Sequence, residues 1–308
     1  MTRKAIRING LLCVLALVGC TKSAPEAPTP AAETPAGPPV VVTRFSVEDA
    51  TPAEARRFTP TPDDLGPSLR ARLEAIGLRF ADDAPDDAAR LTLTARLVHG
   101  FTVGEGLIPA ADPAPAGARS RAVWAVEARL RAPGSAEGQH IFLEGMDEAP
   151  VEGDGALGAR IDKAFDPVVQ GLKTRVGLLG LGTPALTTRL DDPDPAVRLA
   201  AIDQLAFRRD AAAVEAISRR TRIEKEREVL LRLIGALAEI GDDGAARALI
   251  DLANPRDREL LRAVLDALSV VGGERVGDFF DILASHDDAD VRAMVEDARA
   301  RLQRKGAP

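Results

Sequence analysis

The chain has 308 residues, a formal net charge of −7 at pH 7, and a composition that is 45% hydrophobic but only 3% aromatic. This length allows two domains, and their cores must be aliphatic because the chain has no Tyr and only one Trp, Trp124. The acidic balance argues against nucleic acid as a partner, because binding a phosphate backbone requires a basic surface.

The N-terminal segment has the composition of an export signal. Arg3, Lys4 and Arg7 precede an apolar run over residues 11–18. This run is too short to cross a bilayer, since a transmembrane helix needs about 20 residues. A basic start, a short apolar centre and a small residue at its end are typical of a cleaved signal peptide. One of the two cysteines lies inside this segment and the other is Cys20, so the later part of the chain can form no disulfide and no cysteine-based metal site.

The motif Leu17-Val18-Gly19-Cys20 resembles the lipobox of bacterial lipoproteins. The resemblance implies removal of the first 19 residues, attachment of a diacylglyceryl group to the Cys20 thiol, and acylation of the new N-terminus, with palmitate as the typical fatty acid. Thr21 follows the cysteine, where an Asp would imply retention in the inner membrane. The resemblance therefore implies an outer-membrane lipoprotein that faces the periplasm. The alternative is an ordinary signal peptide with a cysteine at this position by chance.

Residues 20–39 are rich in Pro and Ala and contain almost no large apolar side chains. Such a segment cannot build a core, so we expect a disordered or extended tether. In a polyproline-like form, at about 3.1 Å per residue, it would span at most roughly 50–60 Å. It would then hold the folded domains away from a membrane surface. A ligand for a proline-binding groove is the alternative interpretation.

Residues 40–180 carry both strand and helix signals. The strand signals are short β-branched or alternating stretches, at residues 40–42, 78–80, 91–97, 123–130 and 141–143. Apolar residues at helical spacing predict helices over residues 65–76 and 157–179, with a kink or a break at Pro167. This order predicts an α+β sandwich with its helices on one face of the sheet.

Within this domain, Gly77-Leu78-Arg79-Phe80 follows the first predicted helix and precedes an acidic turn and the strand at residues 91–97. In this order the segments resemble small lipoprotein domains of the bacterial envelope, such as the N-terminal module of the TolB family or penicillin-binding-protein activators. The resemblance implies an envelope protein but assigns no functional residue.

Residues 183–308 contain an internal repeat. The stretches AVRLAAIDQLAFRRD, EVLLRLIGALAEIGD and ELLRAVLDALSVVGG align without gaps from Ala196, Glu228 and Glu259, and DVRAMVEDARARL continues the series from Asp290. The spacings are 32, 31 and 31 residues, and a second amphipathic helix is expected in each unit. Such a period is typical of a stacked helical solenoid, in which each helix pair buries its apolar face against its neighbours.

The openings DPAVR, from Asp194, and DVR, from Asp290, resemble the first helix of HEAT repeats, particularly the short bacterial type. The resemblance implies an all-α, armadillo-type fold over residues 185–305. The two middle units depart from the pattern, with VL from Val229 and LL from Leu260.

No pattern indicates a catalytic centre. The G-x-G-x-x-G at residues 153–158 lacks the following parallel strand that a dinucleotide site requires, so we interpret it as a loop that enters a helix. His99, His140 and His286 are isolated, so we expect surface or core roles for them; the alternative is that His99 and His140 meet across neighbouring strands. No nucleophile elbow, phosphate loop or metal quartet is present. We therefore expect a non-enzymatic protein with no cofactor and no metal.

Acidic clusters recur near the predicted ends of the repeat helices, at residues 191–194, 242–243 and 287–290. Asp is a preferred N-cap and turn residue, so we expect these clusters to begin helices. A weak site for Ca²⁺ or for a cationic partner is the alternative, but the spacing of an EF-hand loop is absent.

These observations favour a lipid-anchored scaffold in the bacterial cell envelope that binds a protein partner through its repeats. The candidate partner-binding residues lie on the second helices of the repeats: Arg219, Arg220, Arg247 and Arg275. The rival hypothesis is a ligand-binding or assembly-accessory lipoprotein that works through its α+β domain, where it would bind envelope glycan, lipid or a secretion component.

Overall fold

The computed structural model describes residues 37–51, 62–103, 106–108, 117–150 and 156–306. The predicted signal peptide, the lipidation site Cys20 and most of the predicted tether lie outside the described residues, as do the first three residues of the G-x-G-x-x-G motif. None of the described helices combines the length and the apolar character that crossing a bilayer requires.

The N-terminal part is a mixed sheet with the strand order β2-β1-β3-β5-β6, to which β4 adds by pairing with β3. The strands are β1 (Val40–Asp49), β2 (Arg79–Phe80), β3 (Ala89–Val103), β4 (Gly106–Ile108), β5 (Arg119–Arg131) and β6 (Gln139–Pro150). β3, β5 and β6 form an antiparallel meander, whereas β1 runs parallel to both β2 and β3. A parallel pair needs a crossover connection, and the segment with helix α1 (Pro62–Ala75) supplies it.

Helix α1 and helix α2 (Ala156–Leu178) contribute to one core on a single face of the sheet, as predicted for the α+β sandwich. Trp124 of β5 is fully buried in this core. Its indole Nε1 donates a hydrogen bond of 2.8 Å to the carbonyl oxygen of Ile161, and its ring meets Phe165 edge-on, with centroids 5.4 Å apart. These two contacts fix α2 across the sheet.

Helix α2 continues through Pro167 without the predicted break. Proline removes one main-chain donor, and the carbonyl that loses its partner belongs to Lys163, four residues earlier. Both residues lie on the exposed side of the helix, where water can take the place of the missing donor.

The C-terminal part consists of helices. They are α3 (Thr183–Arg189), α4 (Pro195–Arg208), α5 (Val214–Thr221), α6 (Arg227–Ile240), α7 (Asp243–Leu252), α8 (Arg258–Val271), α9 (Glu274–Ala284) and α10 (Ala289–Gly306). The first helices of successive repeats, α4, α6, α8 and α10, begin 32, 31 and 31 residues apart, which confirms the predicted period. Their apolar faces form a second core that runs from Leu178 to Ala298.

Polar contacts join the sheet and the repeats where α2 ends. Arg175 of α2 lies 3.3 Å from the carboxylate of Asp203 in α4. The buried amides of Gln139, in β6, and Gln204, in α4, are 2.7 Å apart. Helix α2 belongs to both cores, because Ile161 and Leu172 lie in the first and Leu178 in the second.

Candidate partner-binding surface

The acidic clusters begin helices, as predicted. Asp194 accepts a hydrogen bond of 2.9 Å from the backbone N–H of Ala196 at the start of α4. Asp242 accepts one of 2.7 Å from the N–H of Ala245 in α7. These carboxylates satisfy main-chain donors that have no partner inside the helix, so their recurrence along the sequence has a structural cause.

The two arginines of the HEAT-like openings have equivalent roles. Arg198 donates hydrogen bonds of 2.9 and 3.1 Å to the carbonyl oxygens of Asp192 and Pro193. Arg292 donates bonds of 2.7 and 2.9 Å to the carbonyls that lie six and five residues before it. In both repeats the guanidinium therefore closes the turn that leads into the first helix.

Arg220, one of the candidate partner-binding residues, belongs to a partly buried ion-pair network. Its guanidinium contacts Glu224 at 2.8 Å and Asp191 at 3.2 Å. Burial alone would raise the pKa of Glu224, but hydrogen bonds from two backbone N–H groups and from Arg220 and Arg198 lower it to about 2. Arg219, in the same helix, is exposed.

The other two candidate arginines meet at one carboxylate. Arg275 of α9 contacts Asp243 of α7 through Nε at 2.8 Å and through Nη2 at 3.2 Å, and Arg247 lies 3.6 Å from the same carboxylate. The hydrogen bond from Arg275 lowers the pKa of Asp243. The structure thus brings Arg247 and Arg275 together and places Arg220 elsewhere.

Arg247 and Arg275 line an open groove of about 560 Å³ between α7 and α9, which we call the α7–α9 groove. Besides Asp243 and the two arginines, its lining consists of Ile250, Asp251, Glu274, Asp278, Phe279 and Ile282. Ile282 is 68% exposed, although it is a large apolar side chain. The prediction from the sequence selected the arginines and missed the acidic and apolar residues. The sequence signal that could have identified this groove was Ile282, an apolar residue on the outer side of an amphipathic helix.

The sheet domain has an open cleft of about 390 Å³ near β1 and β2, lined by Arg44, Phe45, Arg70 and Phe80 among others. On the face of the sheet opposite α2, Phe142 and Met146 of β6 are 56% and 51% exposed. These two surfaces are where the described part of the α+β domain could contact a ligand.

His99 and His140 have the core and surface positions that we expected, and the alternative that they meet is wrong. β5 separates their strands, His99 is buried in the domain, and His140 is exposed. His99 Nε2 lies 3.2 Å from Ser120 Oγ. Burial lowers the pKa of His99 to about 4, although the charge of Asp49 acts in the opposite direction. Among the described residues, no group of three or more His, Cys, Asp or Glu side chains is arranged to hold a metal ion.

Comparisons with known proteins identify the repeats. Residues 183–269, which extend from α3 into α8, match the family of HEAT repeats. The chain is thus an N-terminal α+β sheet domain followed by a helical part with HEAT repeats.

Among solved structures, the chain matches a minor lipoprotein from Acinetobacter baumannii, with 13% sequence identity over 44% of this chain and 93% of that chain. The TM-score is 0.27, so this match does not define a shared fold. A search of curated proteins found no match.

Proposed function

We propose that this chain is a non-enzymatic scaffold of the bacterial cell envelope, anchored by lipid on Cys20, that binds a partner protein through the second helices of its HEAT repeats. The observation that carries the proposal is the exposed Ile282 in an open groove between two repeats. Stacked repeats form extended surfaces of this kind because each helix pair contacts only its neighbours. Contiguous apolar surface that is rimmed by polar residues is typical of protein interaction sites, and Ile250 and Phe279 line the same groove as Ile282.

The lipid anchor in this proposal is argued from the sequence alone. Leu17-Val18-Gly19-Cys20 follows a basic and apolar leader, and two or three acyl chains on one N-terminus would hold the protein firmly at a bilayer. Thr21 favours the outer membrane, facing the periplasm. The Pro- and Ala-rich residues 20–39 would set how far the domains reach from the membrane.

The second candidate is a ligand-binding or assembly-accessory lipoprotein that acts through the α+β domain. Phe142 and Met146, which are exposed on the face of the sheet opposite α2, favour it. Small-molecule sites usually enclose most of their ligand, whereas the cleft near β1 and β2 is open. On this ground the repeats are the stronger candidate.

Site-specific photo-crosslinking in the producing cell separates the two candidates. A photoreactive amino acid replaces Ile282 in one variant and Phe142 in another. Both side chains are exposed, so the fold should tolerate either change. A discrete protein adduct from position 282 and none from position 142 is the expected result. The reverse pattern would favour the α+β domain and overturn the proposal.

A second substitution shows whether an adduct at position 282 depends on the groove. Asp278→Lys alters the same lining and should reduce the adduct, whereas Glu296→Lys, an exposed site on α10, should leave it unchanged. An adduct that is equally strong in both variants would indicate random collision.

A further inference from the structure

The charge of the α7–α9 groove defines the chemistry of its partner, and this inference rests on the proposed scaffold function. The groove carries four carboxylates and two guanidinium groups, a formal charge of −2. Asp243 already pairs with Arg275 and lies beside Arg247. An acidic partner would have to replace this carboxylate to reach the arginines.

Three other carboxylates line the groove, those of Asp251, Glu274 and Asp278, and Asp251 lies 3.7 Å from the guanidinium of Arg222. Glu274 and Asp278 are both exposed, one helical turn apart on α9. Phe279 is half-buried beside them and Ile282 is exposed. The groove therefore offers an apolar strip with negative charge along its rim.

The acidic character continues beyond this groove. A neighbouring open groove of about 380 Å³ lies between α5 and α7 and shares Arg247 and Asp251. It adds Glu215, Asp242 and Arg222, so its three carboxylates and two guanidinium groups leave a formal charge of −1. The two neighbouring grooves thus both have a negative formal charge.

We propose that the α7–α9 groove binds a basic amphipathic segment of the partner protein. Its aliphatic side chains would pack on Phe279 and Ile282, and its Lys or Arg side chains would lie against Glu274 and Asp278. Complementary charge gives specificity and fast association, whereas burial of the exposed isoleucine contributes affinity.

Two labelled peptides of roughly 18 residues, or five helical turns, test the charge of the partner. Both carry Leu at helical spacing, and their polar positions are all Lys in one peptide and all Glu in the other. Binding is measured to the full chain with Cys20→Ser, so that no lipid tail contributes. The Lys peptide should bind at least roughly tenfold more tightly than the Glu peptide, because like charges across an interface oppose binding.

Two matched pairs of charge-reversing substitutions test whether the Lys peptide binds in the groove. The pair Glu274→Lys and Asp278→Lys should abolish the preference for the Lys peptide. The pair Asp287→Lys and Glu296→Lys makes the same charge change at exposed positions outside the groove and should preserve it. Equal weakening by both pairs would mean general attraction to a chain of net charge −7, and would overturn the inference.

Two further results would also overturn it: equal affinity for both peptides, or no binding of the Lys peptide. Neither would decide the scaffold proposal, which depends on the crosslink from position 282. A position-specific crosslink with no Lys-peptide preference would leave the scaffold standing and remove only the basic partner. Ile282→Ser supplies an internal check, because it removes the apolar contact without changing the charge and should weaken any peptide that occupies the groove.

Discussion

Arg198 and Glu224 form a bidentate ion pair, with Nε 3.0 Å from Oε2 and Nη2 3.2 Å from Oε1. It joins the start of α4 to the loop after α5, and both side chains are almost completely buried, at 7% and 1% exposure. Glu224 also accepts hydrogen bonds from the backbone N–H groups of Lys225 and Glu226. One carboxylate therefore organises the connection between the first two repeats.

Glu224→Gln should destabilise the chain by about 2–4 kcal/mol, because it leaves the buried guanidinium of Arg198 without a countercharge. Chemical unfolding at pH 7 measures the loss. Glu226→Gln, an exposed neighbour, should cost less than about 0.5 kcal/mol. A similar small loss in both variants would show that the pair contributes little.

His99 should make stability depend on pH. Its pKa is about 4 in the fold and about 6.5 in an unfolded chain, so between these values the unfolded state binds the extra proton. Its contribution to stability is complete above pH 6.5 and is lost as the pH falls toward 4. The slope is about 1.4 kcal/mol per pH unit, or about 2 kcal/mol between pH 6.5 and 5.

Urea unfolding at pH 6.5 and pH 5 tests this slope. His99→Gln should be less sensitive to pH than the wild type by the amount stated, because glutamine does not titrate. His140→Gln, at an exposed position, should retain the wild-type slope. An unchanged slope in His99→Gln would contradict the assignment.

Gly145 of β6 lies directly beneath α2. A Cβ at this position would stand 2.0 Å from the carbonyl oxygen of Ala164, so Gly145→Ala forces the strand and the helix apart. We expect a loss of about 1–3 kcal/mol, as for other overpacked sites. Gly177→Ala, near the end of the same helix, meets no atom within 4 Å and should stabilise the chain by about 0.5–1 kcal/mol. Thermal unfolding of both variants should give shifts of opposite sign; a shared sign would refute the packing argument.

The elements that local periodicity defines could be predicted from the sequence. Apolar spacing is a property of neighbouring residues, and it was sufficient for the alternating strands and for the starts of α4, α6, α8 and α10. The choice of partner for each charge is not local. Arg275 pairs with Asp243, 32 residues earlier, only because α7 and α9 stack side by side. The sequence showed four candidate arginines but not that two of them share a carboxylate.

Strand order was also beyond the sequence. Apolar patterning correctly indicated strands next to His99 and His140, but it contains no information on which strands are neighbours. β5 lies between the two, so the histidines are apart. For the G-x-G-x-x-G motif, in contrast, the sequence was sufficient. We expected no parallel strand after its helix, and the described residues after α2 form only helices and their connections.

Cys20→Ser should release the chain from membranes. Each buried methylene of an acyl chain contributes about 0.8 kcal/mol, and one chain alone binds only weakly, so stable anchoring needs the two or three chains that a processed lipobox cysteine would carry. The wild-type protein should sediment with membranes. High salt should not release it from them, whereas detergent should.

Cys13→Ser is the matched control for this prediction, because Cys13 lies inside the segment that cleavage would remove, and it should behave as the wild type. A Cys20→Ser chain whose leader is not cleaved could remain at the membrane through the leader itself. Mass spectrometry of the mature N-terminal peptide therefore completes the test. An unmodified Cys20 in the wild-type peptide would rule out the lipid anchor and favour an ordinary signal peptide.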